Sequence, residues 1–231
     1  MTKWSSFCYD ESMNTVIIGG TTGLGLELAK KYQANGDTVI VTGRNQPEGR
    51  FNFKSFDLSE ANLATRASKF ISETQMIDRL VYAAGYFQEG RITDLSETNI
   101  EEMINVGGRG LIYFIKSILE KQGALAELVT ITSTSQWTPR QKEPVYNFVK
   151  AGAAHFSNAI AEDRRVSKVL VAGPAGMRTA FWDGVARDDL DQMLDPAWVA
   201  EQIIKLMEED YSYRFARILR QPARVEVIET R

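Results

Sequence analysis

The stretch IIGGTTGLG at residues 17–25 decides the fold of this chain. Two isoleucines end a short apolar run, and the glycines that follow have the spacing GxxxGxG. Glycine allows a tight turn and lets backbone N–H groups approach a pyrophosphate closely, and the helix that starts here adds a partial positive charge. A plain glycine turn is the alternative interpretation, but this one opens a strand–turn–helix unit. The residues that we expect to line the anion site are Gly19, Thr21, Thr22, Gly23, Leu24 and Gly25.

Short apolar runs alternate with helical patterns along the rest of the chain. Most of the runs are continuous, which is typical of strands buried on both faces of a sheet. We therefore predict an α/β fold, a doubly wound, mainly parallel seven-stranded sheet flanked by helices, in one Rossmann-type domain over residues 1–231. The predicted strands are 15–18, 38–42, 51–56, 79–83, 128–132, 168–172 and 224–228. The predicted helices are 24–35, 59–74, 99–122, 145–164 and 196–209.

One connection departs from the alternation. Only residues 43–50 separate the second and third predicted strands, which is too short for a crossover helix. Either the third strand is reached by an unusually short link, or its start lies elsewhere.

Composition excludes several function classes. The 231 residues carry a formal net charge of -3 without a strongly basic block, which disfavours nucleic acid as a partner. No apolar run is long enough to span a bilayer, and residues 1–12 form a polar extension without the apolar core of a signal peptide. One cysteine and one histidine leave no set for a metal site, and the absence of a disulfide pair fits the cytoplasm.

The residues after the second and third strands bear on the choice of dinucleotide. A carboxylate after the second strand would bind the adenosine ribose hydroxyls of NAD, but Arg44 stands there. A guanidinium can pair with a 2′-phosphate, so we expect NADP, with NAD as the less favoured coenzyme. Asp57, followed by Leu58, is a candidate acceptor for the adenine amino group, or part of the N-cap region of the next helix.

Tyr146 and Lys150 stand four residues apart on a predicted helix, which puts both side chains on one face. A neighbouring ammonium lowers the pKa of a phenol, so Tyr146 could protonate a carbonyl oxygen or deprotonate an alcohol. An ordinary exposed Tyr–Lys pair is the competing interpretation. Ser133 ends a strand thirteen residues earlier, where open parallel sheets bind ligands. Asn105 lies in a weak part of a helix that contains two glycines, a pattern that can mark a functional kink.

Taken together, these residues resemble the short-chain dehydrogenase/reductase family, in its single-domain branch, from about residue 14 to residue 179. The resemblance assigns the catalytic roles to Asn105, Ser133, Tyr146 and Lys150. Two further motifs resemble the family's coenzyme-binding segments, with alanine at 83 and 175 where the family usually has asparagine and glycine. The coenzyme contacts that they imply are Ala83, Ala84, Gly85, Pro174, Ala175, Met177 and Thr179, beside Tyr146 and Lys150.

The resemblance also implies where the substrate binds and how the chain associates. Loops after the fourth, fifth and sixth strands frame the substrate, which suggests a hydrophobic or aromatic compound, although plain packing is the competing interpretation. The family commonly forms homodimers or homotetramers through the helices 99–122 and 145–164. The pocket residues so implied are Tyr86, Phe87, Trp137, Phe181 and Trp182.

The leading hypothesis is an NADP(H)-dependent oxidoreductase that reduces a small-molecule carbonyl, or oxidises an alcohol, by hydride transfer with Tyr146 as general acid or base. The alternative is a non-catalytic NADP-binding sensor or scaffold on the same fold. An epimerase or dehydratase that uses the same site is a third hypothesis, but such enzymes often carry an added substrate domain.

Overall fold

The computed structural model describes residues 12–182 and 188–231, which form one sheet covered by helices on both faces. Within this part of the chain the strand order is β3-β2-β1-β4-β5-β6-β7-β8. The strands are β1 Asn14–Ile18, β2 Thr38–Gly43, β3 Asn52–Ser55, β4 Arg79–Tyr82, β5 Leu125–Ile131, β6 Val166–Pro174, β7 Tyr213–Leu219 and β8 Arg224–Thr230. The α-helices are α1 Gly23–Ala34, α2 Leu63–Ser72, α3 Glu97–Ile104, α4 Gly110–Gln122, α5 Pro144–Ile160 and α6 Pro196–Met207.

Seven neighbouring strands run parallel, and β8 pairs antiparallel with β7 at the edge. Two apolar cores lie on opposite faces: α2, α4 and α5 cover one, while α1 and α6 cover the other. The direction of strand progression reverses between β1 and β4, and ligands of open parallel sheets bind at the carboxyl end of such a switch point. The predicted doubly wound architecture is therefore confirmed, and it places the glycine turn beside the loop after β4.

The described chain has eight strands rather than the predicted seven, because β7 was missed. Two arginines, Arg214 and Arg217, interrupt the apolar run of β7 and hid it from the sequence pattern. The fold accommodates both side chains by placing their guanidinium groups over aromatic rings. The Arg214 guanidinium lies 4.3 Å from the ring centre of Tyr211, and that of Arg217 lies 4.6 Å from Trp137.

The short link after the second strand exists as the sequence suggested. β2 and β3 pair in parallel register, from Ile40 opposite Asn52 to Gly43 opposite Ser55, and no helix lies between them. The next helix begins later than predicted, at Leu63 rather than at residue 59, because residues 57–59 form a side-chain-bonded turn first. Among the described residues, no helix is long and apolar enough to cross a membrane.

The predicted helix 99–122 is divided by one π-helical turn, Asn105–Arg109, between α3 and α4. The buried Tyr82 at the end of β4 donates a 2.6 Å hydrogen bond to the carbonyl oxygen of Val106. A side chain at Gly110 would overlap that hydroxyl, and one at Gly107 would overlap Val149. Gly107, one of the two glycines that weaken the helix in the sequence, therefore lets α5 approach the widened turn, and Gly110 after it lets Tyr82 approach.

A buried ionic cluster lies at the opposite, amino-terminal edge of the sheet. Arg79 on β4 donates to Glu127 on β5 at 2.6 Å and pairs with Asp37, which precedes β2. The three side chains are 7–10% exposed. The guanidinium also lies 4.2 Å from the ring centre of Tyr32 on α1. The cluster ties the strands together far from the candidate site.

Candidate active site

The glycine turn is held tightly against its neighbours. The N–H groups of Gly19 and Gly20 donate to the carbonyl oxygen of Thr42, at 3.1 and 3.0 Å. Gly19 has a φ of +81°, and a Cβ there would stand 2.7 Å from the backbone of Ala84. A Cβ at Gly25 would overlap the carbonyl oxygen of Gly19. Glycine is required at both positions because backbone atoms occupy the space that a side chain would need.

The N-terminus of α1 is open to an anion. Thr22, the N-cap residue, is exposed and makes no capping hydrogen bond with its side chain within the described structure, and the first turn carries no acidic residue. The helix has 12 residues, so its first N–H groups and its dipole favour a negative charge. Gly23 has a φ of +53°, and a Cβ there would stand 3.2 Å from the Thr179 methyl group. The segment after β6 thus reaches the same turn. The glycine turn and the N-terminus of α1 together fit a dinucleotide phosphate.

At the adenosine end, Arg44 is exposed directly after β2, and its charge acts on Asp57. Burial raises the pKa of Asp57, but hydrogen bonds from Ser59 and the guanidinium groups of Arg44 and Arg66 outweigh it, so the pKa is lowered. Oδ1 of Asp57 accepts from the Ser59 amide at 2.9 Å and from its hydroxyl at 2.7 Å. Asp57 therefore stabilises a turn, whereas Asn62 is the N-cap of α2.

The loop after β4 lies between the glycine turn and the candidate chemical centre. Ala83 follows β4 directly, and its N–H donates to the carbonyl oxygen of Ile18 at 2.9 Å. Ala84 is buried, whereas Gly85 is exposed and a Cβ on it would lie 3.6 Å from Nζ of Lys150. Leu58 is buried in the core beside α4, so this residue supports the site by packing.

Ser133, Tyr146 and Lys150 converge at the carboxyl end of β5. The Ser133 side chain lies close enough to Tyr146 to lower the pKa of its phenol. Nζ of Lys150 lies 5.6 Å from the ring centre of Tyr146 and donates to the carbonyl oxygen of Ile131 at 3.2 Å. The spacing that suggested one shared helix face therefore brings both side chains to the strand end where Ser133 stands.

Burial controls the proton affinities of this group. Burial lowers the pKa of Lys150 to about 8. Burial raises the pKa of Tyr146 well above its ordinary value, and the charge of Glu143 acts in the same direction. The Ser133 side chain and the charge of Arg140 oppose this increase without cancelling it. Without a further positive charge nearby, Tyr146 is a protonated phenol at neutral pH and can act as a proton donor.

Asn105 is the first residue of the π-helical turn. Its side-chain oxygen accepts a 2.9 Å hydrogen bond from Nη1 of Arg109 one turn later. The kink that the sequence suggested is therefore present, while the role of Asn105 in proton relay stays a prediction.

Four of the five residues predicted to line a substrate pocket lie in one aromatic group with Tyr146. The Phe87 ring contacts Tyr146 edge-on, with ring centres 5.0 Å apart, and also packs on Phe181 and Trp182 at 6.0 and 5.5 Å. Tyr86 packs into the small apolar cluster that includes Tyr146. These rings form an apolar cover beside the Tyr146 ring.

Trp137 lies elsewhere. Its ring centre is 5.8 Å from that of Phe215, and it is covered by the Arg217 guanidinium on β7. A side chain at Gly173 would stand 2.7 Å from the Trp137 ring. The structure thus packs Trp137 against β6 and β7, apart from the described group around Tyr146, and its place in the substrate pocket stays a prediction.

The segment after β6 contains the remaining predicted coenzyme contacts. Pro174 ends the strand, and the Ala175 N–H donates to the carbonyl oxygen of Ile218 at 2.8 Å. The Met177 carbonyl accepts from the indole N–H of Trp182 at 3.0 Å. Residues 183–187 and Cys8 lie outside the described residues.

Sequence reasoning missed two polar residues at this site. Ser135 is buried, and its hydroxyl donates a hydrogen bond to Oε2 of Glu143, just before α5, with an oxygen–oxygen distance of 2.8 Å. Arg140 donates to Thr134, Ser135 and Glu143. The spacing of Arg140 and Glu143, three residues apart and just before Tyr146, was the available signal.

Comparisons with known proteins agree with this arrangement. The family model described as short chain dehydrogenase matches residues 13–189. The chain is 25% identical to the 3-oxoacyl-(acyl-carrier-protein) reductase of Mycobacterium tuberculosis over 221 residues, covering 87% of this chain and 88% of the relative. It is 24% identical to an uncharacterized oxidoreductase of Staphylococcus epidermidis, covering 73% and 80% of the two chains.

Solved structures show the same fold. A short chain dehydrogenase/reductase family protein superposes with a TM-score of 0.79 at 18% identity, covering 91% of this chain and 97% of that chain. A serine dehydrogenase complexed with NADP+ gives 0.76 at 22% identity, with coverages of 88% and 94%. A short-chain dehydrogenase of Sphingobium yanoikuyae in complex with NADPH gives 0.74 at 17% identity, with coverages of 85% and 84%. With the family model spanning most of its length, the chain belongs to the short-chain dehydrogenase/reductase family and is an oxidoreductase of that family.

Proposed function

We propose that this protein is an NADP(H)-dependent oxidoreductase that reduces a carbonyl compound, or oxidises the corresponding alcohol, with Tyr146 as general acid or base. The observation that carries the proposal is the convergence of Ser133, Tyr146 and Lys150 at the end of β5, beside Gly85. An isolated Tyr–Lys pair on a helix surface would have neither the buried ammonium nor the serine partner.

Each residue of the candidate site has a separate role in the proposed reaction. A bound NADPH supplies the hydride. Tyr146 donates its hydroxyl proton to the developing alkoxide, and Ser133 stabilises that oxygen by a hydrogen bond. The positive charge of Lys150 stabilises the phenolate that Tyr146 becomes, and its buried position keeps this interaction strong. Asn105, in the π-helical turn beside α5, is proposed to hold the water that returns the proton.

The coenzyme would bind along the glycine turn. We propose the open N-terminus of α1 for the pyrophosphate, Arg44 for the 2′-phosphate and Asp57 for the adenine amino group. Pro174, Ala175, Met177 and Thr179 would then meet the nicotinamide end. Support for NADP comes from the exposed guanidinium of Arg44 directly after β2 and from the NADPH and NADP+ complexes of structural neighbours.

The apolar cover points to the substrate class. The Phe87 ring contacts Tyr146 and packs on Phe181 and Trp182, so we propose a hydrophobic or aromatic carbonyl compound. We further propose a cytoplasmic homodimer or homotetramer that associates through α4 and α5. On those helices Ile112 and Phe148 are 42% and 67% exposed, which is unusual for large apolar side chains.

The first experiment is a titration of the protein with NADPH and with NADH, followed by tryptophan quenching. We expect tight NADPH binding, much weaker NADH binding, and reversal of this preference in Arg44→Asp. Arg50→Asp is the matched control, because it makes the same charge change in the same connection between β2 and β3. Arg44 follows the carboxyl end of β2, whereas Arg50 precedes the amino end of β3. A preference for NADH in the unmodified protein would refute the role of Arg44.

The second experiment tests turnover. A panel of aryl and alkyl ketones is screened with NADPH, and Tyr146→Phe is compared with the unmodified protein. We expect the variant to bind NADPH almost normally and to lose turnover. Turnover at the original rate would contradict the role of Tyr146, and NADPH binding without turnover of any compound would favour a sensor or scaffold.

A further inference from the structure

Tyr82, at the end of β4, carries a buried phenol that the proposed reaction does not use. Only 1% of the residue is exposed, and its hydroxyl donates a 2.6 Å hydrogen bond to the carbonyl oxygen of Val106. That carbonyl group belongs to the π-helical turn Asn105–Arg109, which begins at the candidate residue Asn105. A side chain of the central sheet therefore binds the backbone of this turn directly.

The backbone hydrogen bonds of the turn show what this hydroxyl does. In a regular α-helix the Gly110 N–H would donate to the carbonyl oxygen of Val106, four residues earlier. Here it donates to the carbonyl oxygen of Asn105, five residues earlier, so Val106 loses its usual helical donor. The Tyr82 hydroxyl takes the place of that donor. Because a backbone carbonyl that is shielded from water needs a donor, this bond favours the π-helical turn over a regular α-helix.

The residues around this bond leave room for it and keep it intact. A Cβ at Gly110 would overlap the Tyr82 hydroxyl, so glycine is needed where the phenol meets the helix. Burial raises the pKa of Tyr82 well above its ordinary value, and the Leu111 amide acts in the opposite direction without cancelling this increase. Tyr82 is therefore a neutral donor over the whole pH range in which the protein would work.

The turn also contacts the helix that carries the candidate chemical centre. Gly107 lies against Val149, and a side chain at residue 107 would overlap one of the Val149 methyl groups. Val149 comes between Tyr146 and Lys150 in α5 and packs in the same apolar cluster as Tyr146. If the turn closed to a regular α-helix, Asn105 and this contact with α5 would therefore change together.

We propose that Tyr82 is a positioning residue of this site, whose hydroxyl keeps the π-helical turn open and so holds Asn105 and the Val149 contact in place beside α5. The value of this position for proton relay rests on the proposed function, but the effect of Tyr82 on the turn and on Val149 does not. Tyr82 takes no part in the chemistry itself, because its hydroxyl proton is donated to the backbone of the turn.

The first test uses the free protein, with backbone amides and valine methyl groups labelled for NMR. Tyr82→Phe removes the hydroxyl and keeps the ring. We expect amide hydrogen exchange in residues 105–111 to become at least about tenfold faster, and the Val149 methyl signals to shift. Tyr213→Phe is the matched control, since it removes the hydroxyl of another buried tyrosine, on β7, and should change neither. Unchanged exchange or unchanged Val149 signals in Tyr82→Phe overturn the proposal.

Gly110→Ala tests the same bond from the helix side. Its Cβ would displace the Tyr82 hydroxyl, whereas the end of the Leu58 side chain, which it would also meet, can rotate away. We expect the urea midpoint to fall in Gly110→Ala, and to fall less than about half as far when the change is made in Tyr82→Phe. An equal fall in both backgrounds overturns the proposal. Should Tyr82→Phe give no dispersed spectrum, the exchange and methyl signals of Gly110→Ala decide.

Kinetics separate positioning from a loss of folded protein. With a ketone that the unmodified protein reduces, we expect Tyr82→Phe to lower kcat about tenfold, to leave KM for NADPH unchanged and to raise the solvent deuterium isotope effect on kcat. The isotope effect rises because return of the proton through Asn105 becomes slower. A lower kcat with an unchanged isotope effect indicates a purely structural role and overturns the proposal. A protein without turnover refutes the proposed function alone, and the NMR results then still decide whether Tyr82 positions the turn.

Discussion

Lys150 on α5 donates a 3.2 Å hydrogen bond to the carbonyl oxygen of Ile131, the last residue of β5. The ammonium group of Lys150 is therefore held where it is shielded from water, and the residue is only 4% exposed. The contact fixes the position of Lys150 against the strand that leads to Ser133. It also means that the protein buries a cation in its candidate active site at the expense of stability.

We expect Lys150→Met to unfold at higher urea concentration than the unmodified protein at pH 7. Burial lowers the pKa of Lys150 to about 8 from 10.5, so the folded state disfavours the charged form. This cost is fully present below pH 8 and disappears as the pH rises from 8 to 10.5, because the neutral amine then forms in both states. The gain should be up to about 3 kcal/mol at pH 7 and should shrink towards pH 10.

The control for this measurement is Lys116→Met, because Lys116 is exposed on α4 and pairs with Glu120 there. Its unfolding free energy should differ little from that of the unmodified protein, with the same pH dependence. A Lys150→Met variant that is less stable at pH 7 would contradict the view that the buried charge is destabilising.

Gly25→Ala should destroy the glycine turn. The added Cβ would overlap the carbonyl oxygen of Gly19, and backbone on both sides leaves no room for adjustment. We expect NADPH binding to be lost and unfolding to occur at lower urea concentration, by at least about 2 kcal/mol. Gly152→Ala is the control, since it lies in α5 with nothing near its Cβ position and should stabilise the helix by about 0.5–1 kcal/mol.

Arg79→Met tests the buried ionic cluster. The substitution leaves the carboxylates of Asp37 and Glu127 buried without their shared guanidinium, and a broken buried pair costs about 3–5 kcal/mol. Urea unfolding should show this loss, whereas Arg165→Met, which removes an exposed arginine paired with Asp163, should change stability by less than about 1 kcal/mol. Equal stability of the two variants would refute the contribution of the cluster.

Phe87→Ala and Trp137→Ala should separate the apolar cover from ordinary packing. Phe87 contacts Tyr146, so its loss should raise KM for an aryl ketone roughly five- to tenfold and leave NADPH affinity unchanged. Trp137 packs on Phe215 and Arg217, so its loss should lower stability with little effect on KM. Steady-state kinetics and urea unfolding of both variants distinguish these outcomes, and the reverse pattern would show that Trp137 lines the pocket.

Local patterns were enough to predict most of the fold. Continuous apolar runs identified the buried strands β1, β2, β4, β5 and β6. A strand that is covered on both faces has apolar side chains on both, so its sequence does not alternate. The strand β7 escaped this reasoning because Arg214 and Arg217 sit in its middle. Arg214 pairs with Glu209 and lies over the Tyr211 ring, and Arg217 lies over the Trp137 ring. These contacts form only in the folded chain, so the apolar pattern of the strand does not reveal them.

The candidate site divides in the same way. The sequence by itself determined the glycine turn, the shared face of Tyr146 and Lys150, and the weak helix at Asn105, because each depends on residues within one or two helical turns. The tertiary structure alone decided that Trp137 packs on Phe215 and Arg217 and that Ser135 and Glu143 join Ser133. Hydrogen bonds and ring contacts act only over a few ångströms, and which side chains come that close depends on how strands and loops pack, not on their order in the chain.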